Sequence, residues 1–141
     1  MSCKKTFVDA GVLIAAARGK DDVALQAIKV LDDPNREFVS SPFLRLEVLP
    51  KAVYEKRQGE VEFYEIFFNA VTYWVHSVEE TAKNAYTEAC KFGLNAMDAL
   101  HVAAAISVGA NDLITTEKLE KSIHRVNSIN ILSIRPIEKC E

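Results

Sequence analysis

Thr6-Phe7-Val8-Asp9-Ala10-Gly11-Val12-Leu13-Ile14 reads as a short apolar strand that ends on an acid and turns at once into a helix. β-Branched and aromatic residues suit the strand. An Asp at its end can accept a free backbone N–H of the helix that follows. The same alternation runs outward along the chain. Further strand signals lie at about Glu37 to Ser40, Thr72 to Val78, Asp112 to Thr115 and Ile129 to Ile134, all short and apolar. The first strand covers Thr6 to Asp9.

Helical patterns fill the gaps. Asp22 to Leu31 carries Val23, Ala24, Ala27, Ile28 and Leu31 on one face. Pro42 suits the first turn of a helix capped by Ser40 or Ser41. That helix is expected to run past Pro50 with a kink or a break, because Pro50 donates no hydrogen bond to the preceding turn. Glu60 to Ala70 and Glu79 to Phe92 read as two more helices. Met97 to Val108 is apolar almost all round, which marks a helix buried on more than one side and stopped near Gly109. Strands alternating with helices predict an α/β fold, a parallel sheet with helices on both faces. In such sheets sites form beyond the carboxyl ends of the strands.

The chain has 141 residues, which fits one domain over 1–141. It is 49% apolar and 26% charged, the balance of a globular protein and not of a disordered one. No apolar run approaches the roughly 20 residues needed to span a bilayer. Met1-Ser2-Cys3-Lys4-Lys5 shows no signal-peptide core, so a cytoplasmic setting is expected. Cys3, Cys90 and Cys140 are widely separated and odd in number, which predicts reduced thiols and no cysteine metal site. The net charge of −3 argues against a nucleic-acid coating module, which is usually basic.

Four acids each end an apolar segment: Asp9, Glu47 within Phe43-Leu44-Arg45-Leu46-Glu47-Val48-Leu49, Asp98 before Ala99-Leu100-His101-Val102, and Glu117 after Leu113-Ile114-Thr115-Thr116. Carboxylates seldom stand at the edge of a core without a partner. If the fold gathers these four, their repulsion calls for a cation, and a hard divalent metal with oxygen ligands is the simplest choice. Without them the chain holds 17 basic and 16 acidic residues. Each acid also has an ordinary explanation. Asp9 can be a helix cap, Glu47 an exposed helical residue, Asp98 the first-turn acid behind an Asn95 cap, and Glu117 a helix start behind a threonine. Asp112 rivals Glu117, but it precedes its strand and so belongs at the opposite end of the sheet from Asp9.

Around these acids, Arg18, Lys20 and Lys118 are candidates to contact a polyanion, with Lys51 and the outward-facing Arg45 behind them. Ordinary solvated charge is the alternative for each. His101 lies one helical turn beyond Asp98, where it is either a second ligand or base, or a packed, hydrogen-bonded core histidine. The aromatic stretch from Tyr54 to Trp74 reads as core and interface, with base stacking as the competing use.

Taken in order, Phe7-Val8-Asp9-Ala10-Gly11-Val12-Leu13-Ile14, Ser41-Pro42-Phe43-Leu44-Arg45-Leu46-Glu47-Val48, Asp98-Ala99-Leu100-His101-Val102-Ala103-Ala104-Ala105 and Leu113-Ile114-Thr115-Thr116-Glu117-Lys118 resemble the four acidic motifs of the PIN-domain ribonucleases, particularly the small VapC-type toxins. The resemblance implies a three-layer α/β/α sandwich around a parallel sheet of about five strands. It implies cleavage of single-stranded RNA by water, Mg²⁺ or Mn²⁺ as cofactor, and Asp9, Glu47, Asp98 and Glu117 as catalytic and metal-binding residues. It also implies a homodimer and an antitoxin protein. Two positions depart from the pattern. Gly11 replaces an Asn or Ser common in the family, and Glu117 replaces the more frequent Asp. They keep open a second class of reading, a PIN-like module that binds RNA or protein without catalysis. An aspartyl-phosphate enzyme fits less well, since Asp9-Ala10-Gly11 lacks the second nearby acid such enzymes use.

Overall fold

The computed structural model describes residues 3–136. Its elements run β1 (Lys4–Val8), α1 (Ala10–Arg18), α2 (Asp22–Leu31), β2 (Arg36–Ser40), α3 (Pro42–Tyr54), α4 (Gln58–Ala70), β3 (Tyr73–Trp74), α5 (Val78–Phe92), α6 (Ala96–Ser107), β4 (Asp112–Thr115) and β5 (Asn130–Ser133). A short 3-10 turn, Ser122–Arg125, precedes β5. The five strands form one sheet in the order β3-β2-β1-β4-β5, and every pairing is parallel.

The period-2 alternation of the strands divides the core. Phe7, Val39 and Leu113 point to one face, where Ala85 of α5 and Val102, Ala103 and Ala104 of α6 cover them. Val8 and Ile114, one residue further on, point to the other face. There they meet Val12 and Leu13 of α1, Leu44 and Val48 of α3, and Tyr64 and Phe68 of α4. The result is the α/β/α sandwich expected from the sequence. The run of alanines in α6 lets that helix lie close on the sheet, with Ala99, Val102, Ala103, Ala104 and Ala105 all buried.

Three local expectations are refined. β3 is only two residues long, since it pairs at the edge through Val39–Tyr73 and Ser40–Trp74 before Ser77 caps α5. α3 continues through Pro50 to Tyr54, with Pro50 itself at an exposed position. Glu117 starts no helix; it lies in an irregular segment after β4. The aromatic stretch is mostly core. Tyr64, Phe67 and Phe68 are buried, and Phe67 meets Phe38 edge-on at 5.6 Å, whereas Tyr54 is exposed. Cys3 and Cys90 are free thiols, and Cys140 lies outside the described residues. No helix among the described residues is long and apolar enough to cross a membrane.

The strand order places the site. The chain steps from β1 to β2 on one side and returns across β1 to β4 on the other. Connections therefore diverge at the carboxyl ends of β1 and β4, which leaves a crevice there. Asp9 follows β1 directly, and Glu117 lies two residues after β4.

Candidate active site

Asp9 is fixed by both of its neighbours in the fold. Its backbone N–H donates to the Ile114 carbonyl of β4 at 3.1 Å. Its Oδ1 accepts the Val12 N–H at 3.2 Å, capping α1, and its Oδ2 accepts the Thr115 hydroxyl. The capping role and a place in the crevice are thus compatible. Burial dominates its electrostatics and lifts the carboxyl to about pKa 6. The two hydrogen bonds and the charge of His101 oppose that rise, and the charge of Asp98 adds to it. Its hydrogen-bond partners are a hydroxyl and a backbone N–H, neither of them a cation.

Asp98 stands in the first turn of α6. Its N–H donates to Asn95 Oδ1 at 2.8 Å, and Asn95 Nδ2 donates back to Asp98 Oδ2 at 3.2 Å. This reciprocal cap orients the carboxylate and starts the helix together. Asp98 is half-buried. Its carboxyl is held above the ordinary carboxylate range first by burial, then by the charge of Glu117, with Glu47 adding and His101 and Asn95 opposing.

Glu47 reaches the site from α3, where its Oε1 lies 2.8 Å from His101 Nε2. Glu117 is carried by an irregular segment that is nonetheless pinned at its backbone. Its N–H donates to Thr115 Oγ1 at 3.0 Å, and its carbonyl accepts from Ser133 Oγ at 2.8 Å and lies 3.1 Å from His124 Nε2. Asp112 is at the far end of the sheet, as its place before β4 predicts, paired with Arg36 and Lys4.

The four acids of four separate segments therefore share one electrostatic neighbourhood. Asp98 responds to Glu47 and Glu117, and Asp9 responds to Asp98. An all-oxygen donor set of this kind suits a hard cation such as Mg²⁺ or Mn²⁺. Among the described residues no three His, Cys, Asp or Glu side chains stand close enough together to hold a metal ion by themselves.

Several participants were not evident from the sequence. Thr115 is the hub, since its one hydroxyl serves both Asp9 and the Glu117 backbone. A β-branched residue closing a buried strand reads as plain β-propensity, so only its place two residues before an acid hinted at more. Gly11 lies beneath Thr116. A Cβ built on Gly11 would stand 2.1 Å from Thr116 Oγ1. A threonine hydroxyl thus occupies the space beside Asp9 that a side chain at position 11 would enter.

The cationic candidates separate. Arg18 is engaged with Glu60 of α4, its Nε donating at 2.9 Å, and so ties α1 to α4. Lys20 is exposed in the connection from α1 to α2. Lys118, exposed beside Glu117, lines a depression of about 240 Å³ together with Lys121 and Arg135. Arg45 lies over the Phe68 ring, 5.7 Å from its centroid, and Lys51 is exposed on α3.

The PIN-domain family model matches residues 6–123. A comparison with curated proteins returns no match. Among solved structures, a chain of VapBC2 from Rickettsia felis, bound to a DNA fragment from its promoter, aligns with a TM-score of 0.68 at 14% identity, covering 92% of this chain and 98% of that one. A chain of DNA-bound VapBC from Salmonella typhimurium aligns at 0.66 with 15% identity over 93% and 98% of the two chains. VapBC-1 from nontypeable Haemophilus influenzae gives 0.63 and 15% identity over 92% and 98%. At these identities the likeness is one of fold.

Proposed function

This chain belongs to the PIN-domain family, and from that premise we propose that it is an endoribonuclease that cleaves single-stranded RNA with Mg²⁺ or Mn²⁺, acting as the toxin of a toxin–antitoxin pair. The observation that carries the reading is the convergence of the four acids: Thr115 serves both Asp9 and the Glu117 backbone, and His101, one turn after Asp98, meets Glu47. All four acids lie on different elements or connections, and such a gathering of like charges is costly unless a cation joins it.

In this reading Asp9 and Asp98 are the primary metal ligands, and Glu47 and Glu117 complete the site directly or through water. When bound, such an ion supplies charge neutralisation at the phosphoryl oxygens and lowers the pKa of a nearby water. The Thr115 hydroxyl holds Asp9 Oδ2 in place, and the Asn95 amide holds Asp98 Oδ2. In the same reading the exposed Lys20 and Lys118 would meet phosphates that approach the acidic crevice, whereas Arg18 contributes chiefly through Glu60. The fold likeness to VapBC proteins supports an antitoxin partner; a homodimer and a cytoplasmic setting belong to the same proposal.

The test is RNA cleavage by the purified protein with Mn²⁺, Mg²⁺ or EDTA, with Asp98→Asn alongside. Cleavage that needs metal and is lost in the variant is the expected result. RNA binding without metal, with no cleavage and no metal-induced stabilisation, would replace the nuclease with a binding module, since an ion that binds only the native state must raise stability.

A further inference from the structure

We propose that His101 is a positioning residue for the metal site, and that it acts by holding the Glu47 carboxylate on the same side of the crevice as Asp98. The inference rests on the metal-site reading above.

His101 lies on α6 one turn after Asp98, and only 3% of it is exposed. Its Nε2 is 2.8 Å from Glu47 Oε1. A carboxylate only accepts, so Nε2 carries the hydrogen of this bond. The other ring nitrogen, Nδ1, is buried and has no hydrogen-bond partner among the described residues. Both nitrogens are thereby withdrawn from ligation, one by its bond and the other by burial. The ring itself is braced against Phe7 of β1, with centroids 5.6 Å apart. A histidine locked between a strand and a helix is a rigid donor.

Glu47 needs such a donor. It projects from α3, and 32% of its side chain remains exposed. The cleft around it is apolar, a depression of about 280 Å³ lined by Phe43, Leu46, Met97 and Leu100. The bond to His101 is the one side-chain hydrogen bond joining α3 to α6 among the described residues. Without it, no hydrogen bond among the described residues opposes rotation of Glu47 toward water, where a free carboxylate is better solvated. Partners that orient a ligating carboxylate commonly govern metal affinity by about 10- to 100-fold.

The experiment is Mn²⁺ binding by calorimetry to the wild-type protein and to His101→Leu and His101→Gln, with folding checked by circular dichroism. A glutamine amide can reach where Nε2 stands and donate the same hydrogen bond; leucine cannot. His101→Leu is expected to lose about tenfold or more in affinity, and His101→Gln to recover most of it. In a Glu47→Gln background, His101→Leu should cost nothing further. Electron spin-echo spectra of the Mn²⁺ complex with ¹⁵N-histidine should show no directly bonded nitrogen. Equal affinity in wild type and His101→Leu, equal loss in the leucine and glutamine variants, or a bonded ¹⁵N signal would each overturn the inference while leaving the metal site standing. Absence of Mn²⁺ binding to the wild type would overturn both.

Discussion

Two buried aspartates sit on adjacent parts of the same β1–β4 seam, at opposite ends of the sheet, and they are treated oppositely. Asp112, at the amino end of β4, is fully buried and is given cations: Arg36 Nη1 at 3.0 Å and Lys4 Nζ at 3.8 Å. Arg36 is itself steadied by Thr6 at 2.7 Å and Asp33 at 3.2 Å. Asp9, at the carboxyl end of β1 and 8% exposed, is given a hydroxyl and a backbone N–H. The first arrangement closes its own charge balance. The second leaves a carboxyl pushed up by burial to about pKa 6, near further acids, as the proposed metal site would require. On the proposed function, burial alone does not separate structural from functional acids in this molecule; the presence of a built-in cation does.

The largest expected effect falls at the open end. Asp98→Asn should reduce metal-dependent RNA cleavage by more than about 100-fold, while the thermal transition of the metal-free protein stays cooperative. Cleavage assays with Mn²⁺ decide this, and retained activity would remove Asp98 from the mechanism. At the closed end the effect moves from activity to stability. Asp112→Asn leaves Arg36 without its buried counter-charge, and loss of one partner of such a pair typically costs about 3 kcal/mol or more. Arg36 keeps Asp33 and some solvent, so the low end of that range applies. Urea denaturation should register the loss while Mn²⁺ affinity of the folded variant is unchanged. A variant of Asp112 that loses metal but not stability would reverse the comparison.

Most of the architecture was legible because each element announces itself locally. The helix over 22–31 and the strand over 112–115 lie where periodicity and β-branching predict them, and the capping residues Asp9, Asn95 and Ser41 were readable too. β3 is shorter than its apolar run because its pairing with β2 is confined to Tyr73 and Trp74 before Ser77 caps α5, a tertiary limit that no local pattern reports. The site was legible only as four separate acids. What joins them is long-range: Thr115 meets Asp9 across 106 residues, and His101 meets Glu47 across 54. Arg18 shows the converse. Its charge marked it for substrate, and a residue 42 positions away had already engaged it.

The raised pKa of Asp9 gives the comparison a pH axis. The folded state holds this proton more tightly than the unfolded chain, where an aspartate titrates near its ordinary value of 3.8. Its contribution to stability is therefore fully present below about pH 4 and is lost as pH rises through about 6. The span corresponds to about 3 kcal/mol at most. Without metal, Asp9→Asn should flatten the fall in stability over that window relative to the wild type, and Mg²⁺ should restore stability to the wild type only. Parallel urea midpoints for the two proteins across the window would show that Asp9 is not the buried group assigned here.

The smallest effect probes the close approach between Gly11 and Thr116. Alanine in place of a helical glycine ordinarily gains about 0.5–1 kcal/mol. Here the new Cβ would meet Thr116 Oγ1 at 2.1 Å, Thr116 Cβ at 3.3 Å and Asp9 Oδ1 at 3.4 Å. The hydroxyl is the end of a half-exposed side chain, so it can rotate away at modest cost, and the two effects nearly cancel. Gly11→Ala alone should thus change stability by less than about 1 kcal/mol. In a Thr116→Ala background the hydroxyl is gone and the Cβ contact at 3.3 Å remains, so the same substitution should stabilise by more than it does in the wild type, approaching the helical gain. That non-additivity, read from a double-mutant cycle in urea, reports the contact directly. Additive effects would mean that Thr116 does not sit over Gly11, and the space beside Asp9 would then be open to another group.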